Sequence, residues 1–76
     1  SGLHARPAAR LVKVTSRFKS SISIVANGKT ANAKSMLSLL SLGAEKGTTL
    51  RVIAEGEDAE QAIETIAKLL KEGLGE

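Results

Sequence analysis

Residues 21–33 read SISIVANGKTANA, and this stretch decides the fold of the chain. Apolar and polar residues alternate before the turn, which places Ile22 and Ile24 on one face of a strand. The dipeptide Asn27-Gly28 favours a type I′ turn, because both residues tolerate the positive φ that this turn requires. A shorter and more polar strand is expected to return over residues 29–33. The stretch therefore predicts an antiparallel hairpin with one buried face.

A helix is predicted before the hairpin, from residue 5 to about residue 16. Apolar side chains recur there at spacings of three and four residues, which places them on one helical face. Pro7 suits the first turn, where its missing amide costs nothing. The apolar face consists of Ala8, Leu11, Val12 and Thr15, and the basic residues of the other side are Arg6, Arg10, Lys13 and Arg17.

A short helix is predicted after the hairpin, over residues 35–42. Ser35 can cap its start and Gly43 can cap its end. Apolar residues wrap most of its circumference, so one sheet cannot cover all of them. Leu39 and Leu42 are expected to point into the core, which leaves an exposed patch of the kind that often binds a partner. This apolar patch consists of Met36, Leu37 and Leu40.

The last third of the chain predicts one strand over residues 48–55 and one helix from Asp58 to about residue 71. The inward face of the strand is Leu50, Val52 and Ala54, and the buried stripe of the helix is Ala59, Ala62, Ile63, Ile66, Ala67, Leu69 and Leu70. The order helix, strand, strand, helix, strand, helix predicts an α+β fold in which helices cover one face of an antiparallel sheet. Residues 1–76 are expected to form a single domain.

Composition narrows the function classes. The 76 residues include 11 Lys and Arg against 8 Asp and Glu, one His, one aromatic residue and no Cys. A disulfide framework is excluded, and a histidine-rich metal site is not expected. No apolar run approaches the roughly 20 residues of a membrane helix, so membrane insertion is not expected and a cytoplasmic protein is the simplest interpretation. A basic nucleic-acid-binding module is disfavoured because almost no aromatic side chain is present to stack on bases.

His4 lies at the start of the first predicted helix, two residues before Arg6. Its ring nitrogen can act as a nucleophile near neutral pH. Unpaired amides at a helix start and a nearby fixed cation both favour a phosphate group. Because Pro7 has no amide, the amides of Ala5 and Arg6 are the expected donors. These residues together indicate a phosphate-handling site.

Several motifs together resemble the HPr family, the histidine-containing phosphocarriers of the bacterial phosphoenolpyruvate-dependent sugar phosphotransferase system. The resemblance covers the whole chain, in spacing as well as in identity, and implies an open-faced two-layer sandwich. The motifs are GLHARPA at residues 2–8, NGK at 27–29, AKS at 33–35, SLGAEKG at 41–47 and GLGE at 73–76.

The resemblance implies a phosphoryl carrier and not a stand-alone enzyme. His4 would accept a phosphoryl group from phospho-enzyme I and pass it to sugar-specific enzyme IIA domains. Arg6 would be the nearby cation that stabilises the phosphorylated state. Neither a cofactor nor a metal ion is implied. Docking of these partners is expected to use the apolar patch together with Arg10, Lys13 and Lys34, which could alternatively be no more than solubilising charges.

Ser35 carries a second prediction beside its role as a helix cap. In the HPr proteins of many Gram-positive bacteria, the matching serine is phosphorylated by an ATP-dependent kinase in catabolite regulation. If Ser35 is such a substrate, an HPr kinase/phosphorylase and a catabolite-control regulator join the expected partners. A phosphate there would add negative charge beside the apolar patch and hinder the binding of enzyme I.

The chain departs from the family pattern at its amino-terminal end. HPr-like domains carry a further first strand beside the strand predicted at residues 48–55, and this chain has none. That strand is therefore expected to form an open edge, which makes strand pairing or exchange between two chains a hypothesis. A phosphocarrier domain cut from a larger multiphosphoryl-transfer protein is the alternative interpretation of the whole sequence.

Overall fold

The computed structural model describes residues 5–45 and 47–73. Its elements follow the predicted order, and the sheet is antiparallel with the strand order β2-β1-β3. The elements are α1 (Ala5–Thr15), β1 (Ser21–Ala26), β2 (Lys29–Asn32), α2 (Met36–Leu40), β3 (Arg51–Glu55) and α3 (Ala59–Lys71). The prediction of an α+β fold, with helices covering one face of an antiparallel sheet, is confirmed.

The hairpin of β1 and β2 forms around the predicted turn. Asn27 has a φ of 53° and Gly28 a φ of 73°, as a type I′ turn requires. The turn sets the register in which Ile24 pairs with Ala31, and both of these residues are buried. Strand β2 ends at Asn32, one residue before the predicted end of the strand.

The core lies between the covered face of the sheet and the helices. Its largest members are fully buried and come from α1, β1, α2 and α3: they include Leu11, Ile24, Leu39 and Ile66. Each such side chain stabilises the fold by about 1.5–3 kcal/mol relative to an exposed position. Because these residues come from four different elements, the core fixes the positions of the helices relative to the sheet.

Strand β3 begins at Arg51, so the predicted start at residue 48 is wrong. Pairing with β1 begins at the pair formed by Val25 and Arg51, because β1 then enters the hairpin turn. Thr48 closes a separate turn instead. Its backbone N–H donates to the carbonyl of Glu45 at 2.9 Å, and its hydroxyl oxygen accepts from the N–H of Glu45 at 3.1 Å.

The predicted buried stripe of α3 is only partly correct. Ala62 and Ile66 are buried, whereas Ile63 is 38% exposed and Ala67 is also exposed. Both exposed residues line an open groove of about 460 Å³ beside β3. Within residues 5–45 and 47–73, β3 is an edge strand of the sheet, as expected. The half-buried members of the stripe are Ala59, Leu69 and Leu70.

Asp58 joins the start of α3 to the loop between α1 and β1. Its carboxylate accepts the backbone N–H groups of Lys19 and Ser20, each at 2.9 Å, and the hydroxyl of Ser20 at 2.5 Å. These bonds lower the pKa of Asp58 to about 2, and the bond from the Ser20 hydroxyl has the largest effect. The two segments approach so closely that a Cβ on Gly56 would lie 2.8 Å from the Cα of Ser20. Glycine is therefore required at residue 56, where φ is 141°.

We expect Asp58→Asn to destabilise the protein at neutral pH and to lose this effect in acid. Because the pKa of Asp58 is lowered on folding, its charged carboxylate makes its full contribution to the free energy of unfolding at pH values above the pKa of aspartate in the unfolded chain, about 3.9. This contribution disappears as the pH falls through about 2. Urea unfolding of both proteins between about pH 7 and pH 2 measures the difference. The matched control is Glu57→Gln at the exposed neighbouring residue, and a difference that stays constant with pH would contradict the prediction.

Candidate functional site

The first turn of α1 is exposed and carries no acidic residue. Ala5 and Arg6 face solvent, whereas Pro7 and Ala8 are buried and anchor the turn to the core. The first amides of a helix have no acceptor within the helix, and the helix dipole places partial positive charge there. This end of α1 therefore favours an anionic group.

His4 lies outside the described residues, so its predicted role as the phosphoryl acceptor stays a prediction. In the sequence it directly precedes Ala5, the first residue of α1. Arg6 is exposed in the first turn, where a guanidinium can approach a phosphate. The predicted roles of Arg6 and of the amides of Ala5 and Arg6 fit this exposed turn and likewise remain predictions.

The basic side of α1 forms the first part of the candidate docking surface. Leu11 and Thr15 are buried against the rest of the protein, as predicted. The opposite side of the helix is exposed and positively charged through Arg6, Arg10 and Lys13, and Arg17 adds an exposed charge two residues after the helix ends. Helix α1 also packs against α2, the helix that carries the apolar patch.

The apolar patch on α2 forms the second part of the candidate docking surface. Leu37 is 80% exposed, Met36 is 37% exposed and Leu40 is 38% exposed. Leu39 and Leu42 are buried, so the predicted division between inward and outward residues is confirmed. An exposed leucine flanked by two other apolar side chains is a surface suited to binding a partner.

Ser35 caps α2 as predicted. Its backbone is extended, with φ −118° and ψ 117°, and its hydroxyl oxygen accepts the N–H of Ser38 at 3.2 Å. The helix is shorter than the predicted 35–42, because Ser41 is its C-cap and donates its N–H to the carbonyls of Leu37 and Ser38. The predicted cap, Gly43, lies two residues later with a φ of 63°.

Two contacts that the sequence did not predict connect the end of β2 to α2 and to the segment just before it. The N–H of Asn32 donates to the hydroxyl oxygen of Ser38 at 2.9 Å, and the side-chain oxygen of Asn32 accepts the N–H of Lys34 at 2.9 Å. The second contact has a sequence signal, because an asparagine before a turn often bonds two residues ahead. The first contact has no comparable signal. A helix of five residues is unstable alone, so such contacts determine its orientation.

Lys34 is half-buried, and its ammonium group donates to the carbonyl of Phe18 at 2.6 Å. From the sequence, Lys34 is expected either on the docking surface or as a solubilising charge. The structure gives it an intramolecular partner just beyond the end of α1. Its predicted contact with acidic partners is left as a prediction.

Neither a metal centre nor a membrane span appears in the part of the chain that the structure describes. No cluster of three or more His, Cys, Asp or Glu side chains occurs there with a geometry that could hold a metal ion. No helix there has both the length and the apolar character to cross a membrane.

The fold, the exposed start of α1 and the adjacent apolar patch are the features that the family resemblance implied for a phosphocarrier. The family described as PTS HPr component phosphorylation site matches residues 1–72. The chain therefore belongs to the HPr family of the phosphotransferase system.

Relatives of known sequence and structure agree with this family. The chain is 45% identical over 78 residues to the multiphosphoryl transfer protein of Haemophilus influenzae; the alignment covers 99% of this chain and 16% of that protein. HPr-C-His of Thermoanaerobacter tengcongensis is 42% identical with a TM-score of 0.93, over 100% of this chain and 85% of its own. Crh of Bacillus subtilis is 43% identical with a TM-score of 0.88, over 95% and 83%. The open-faced sandwich predicted from the resemblance is confirmed.

We expect Ser35→Ala to lower the free energy of unfolding by about 1 kcal/mol, because the N–H of Ser38 loses its acceptor. Ser35→Asp should retain most of the stability, because aspartate is an equally good N-cap. Urea unfolding of the three proteins provides the measurement. If Ser35→Ala unfolds at the same urea concentration as the original chain, the cap contributes nothing and the prediction is wrong.

Proposed function

We propose that this chain is a phosphoryl carrier of the sugar phosphotransferase system, with His4 as the residue that carries the phosphoryl group. The observation that supports this most strongly is the match of the HPr phosphorylation-site family across residues 1–72, which include the motif around His4. The exposed first turn of α1, which follows His4 directly in the sequence, is consistent with it. In this proposal residues 1–76 act as one cytoplasmic carrier domain.

The proposed chemistry is a transfer between two histidines. A ring nitrogen of neutral His4 attacks the phosphorus held on a histidine of enzyme I. A nitrogen–phosphorus bond forms on His4 as the bond to the donor histidine breaks, and the donor ring leaves with the electron pair of that bond. The guanidinium of Arg6 and the amides of Ala5 and Arg6 would stabilise the charge on the phosphoryl oxygens. In the second step, a nucleophile of an enzyme IIA domain attacks the phosphorus on His4. The bond between phosphorus and His4 breaks, its electron pair returns to the ring, and the chain is regenerated unchanged.

The proposed docking surface combines charge with apolar area. Arg10 and Lys13 are exposed on α1 and suit an acidic partner surface, while the apolar patch supplies contact area next to them. Charges of this kind mainly raise the association rate and select partners, whereas buried apolar contacts supply most of the affinity. Both enzyme I and the enzyme IIA domains would bind here, one after the other.

Ser35 is the proposed site of regulatory phosphorylation. Its hydroxyl oxygen accepts a hydrogen bond in the α2 cap, directly before Met36 in the apolar patch. A phosphate there would bring about two negative charges to the edge of this patch and weaken its contact with enzyme I. An HPr kinase/phosphorylase and a catabolite-control regulator are the partners that this role implies.

A second candidate function is that of a carrier domain within a larger protein. The alignment with the Haemophilus influenzae protein covers nearly all of this chain but only 16% of that multiphosphoryl transfer protein. In this case the donor or the acceptor would be another domain of the same polypeptide. The transfer chemistry of His4 would be the same, and the effective concentration of the partner would be higher.

We expect the chain to gain one acid-labile phosphoryl group when it is incubated with enzyme I, magnesium and phosphoenolpyruvate. Intact mass spectrometry measures the gain, and His4→Ala should abolish it. Arg6→Ala should reduce the rate by about tenfold or more, because it removes a charge-assisted contact to the phosphoryl oxygens. The absence of phosphorylation in a chain shown by circular dichroism to be folded would overturn the proposed function.

We expect Leu37→Ser to raise the KM for this chain as a substrate of enzyme I by about fivefold to tenfold, because it removes the most exposed apolar side chain of the patch. Its stability should change little, since the leucine is 80% exposed. Ile53→Thr is the matched control, because Ile53 is also exposed but lies on β3. Steady-state transfer rates give KM and kcat for each protein. An equal KM for all three proteins would show that the patch does not contribute to docking.

A further inference from the structure

Two contacts join the end of α1 to the segment that precedes α2. The hydroxyl of Thr15 donates to the carbonyl of Ala33 at 2.8 Å, and the ammonium group of Lys34 donates to the carbonyl of Phe18 at 2.6 Å. The donor of the first contact lies in α1 and the donor of the second lies just before α2. Each of the two segments therefore donates one hydrogen bond to the other. We call these four residues, Thr15, Phe18, Ala33 and Lys34, the interhelical clamp.

Each contact supplies a side-chain donor to a backbone carbonyl. Ala33 is fully buried, and a buried carbonyl without a donor destabilises a fold. Thr15 is also fully buried, which keeps its hydroxyl in place. Phe18 lies three residues after the end of α1, and its carbonyl accepts the ammonium group of Lys34, a half-buried residue.

The clamp adds to the direct packing of α1 against α2 by joining the end of α1 to the segment just before α2. Helix α2 has five residues, and its contacts through Asn32 and Ser38 attach it to β2 and not to α1. The clamp supplies side-chain hydrogen bonds between the end of α1 and the start of α2. The basic side of α1 and the apolar patch on α2 are the two parts of the proposed docking surface, so their spacing depends in part on this connection.

We propose that Lys34 is a positioning residue for partner docking: it acts through the carbonyl of Phe18, by holding the apolar patch in register with the basic side of α1. This inference rests on the proposed function. It differs from the direct docking role that the sequence suggested for Lys34. Thr15 supports the same geometry from α1 without carrying any charge.

Kinetics with enzyme I test the proposal. Lys34→Met keeps the aliphatic stem and removes the ammonium group, and it should raise the KM by about tenfold while kcat changes little. The matched control is Lys29→Met, which removes the same charge at an exposed position at the start of β2. Thr15→Val should also raise the KM, although it changes no charge. Thr15→Ser keeps the hydroxyl and should have the KM of the original chain.

Two further measurements separate positioning from direct contact. A lysine that touches an acidic partner contributes to the salt dependence of the KM, whereas a positioning lysine does not. The KM of Lys34→Met should therefore vary with salt as steeply as that of the original chain. In the free protein, hydrogen exchange at the amides of residues 37–40 should be faster in Lys34→Met than in Lys29→Met.

Each outcome decides between these possibilities. If the original chain accepts no phosphoryl group from enzyme I, the proposed function fails and the inference fails with it. If the original chain is phosphorylated and Lys34→Met has an unchanged KM, only the inference is overturned. A raised KM accompanied by a weaker salt dependence and unchanged hydrogen exchange also overturns it, because Lys34 then contacts the partner directly.

Discussion

The type I′ turn at Asn27-Gly28 is the constraint on which the rest of the structure depends. A two-residue turn fixes the register of β1 against β2, and a shift by one residue would move every side chain of the strand to the opposite face. In the observed register, Ile22 and Ile24 lie on the covered face of the sheet and are buried in the core. The helices pack against this apolar face.

The proposed functional surface depends on tertiary contacts to an unusual degree. Helix α1 is an amphipathic helix of 11 residues with its own buried face, whereas α2 has five residues and exposes much of its apolar area. Such a short helix is maintained by its cap and by bonds to its neighbours. Ser35, Ser38 and Lys34 each provide one of these bonds. The position of the apolar patch is therefore set by polar side chains that lie beside it.

The groove beside the edge strand β3 shows how burial differs within one helix of the described chain. The same stripe of α3 holds Ala62 and Ile66 in the core and leaves Ile63 and Ala67 beside an open groove. Each pair contains one alanine and one isoleucine, so their burial follows from their position on the helix and not from their residue type. The hypothesis that two chains pair at this edge is consistent with this groove and remains a prediction.

The sequence by itself determined the order of the elements, the hairpin register, the cap at Ser35 and the division of α2 into inward and outward residues. These features depend on periodicity and on turn chemistry, which act over a few neighbouring residues. It also indicated the family, through short motifs whose identity and spacing can be read along the chain. The tertiary structure alone decided the start of β3, the exposure of Ile63, the bonds that lower the pKa of Asp58 and the contact between Lys34 and Phe18. Each of these depends on residues that are distant in sequence and meet only when the helices pack onto the sheet, so no local pattern could reveal them.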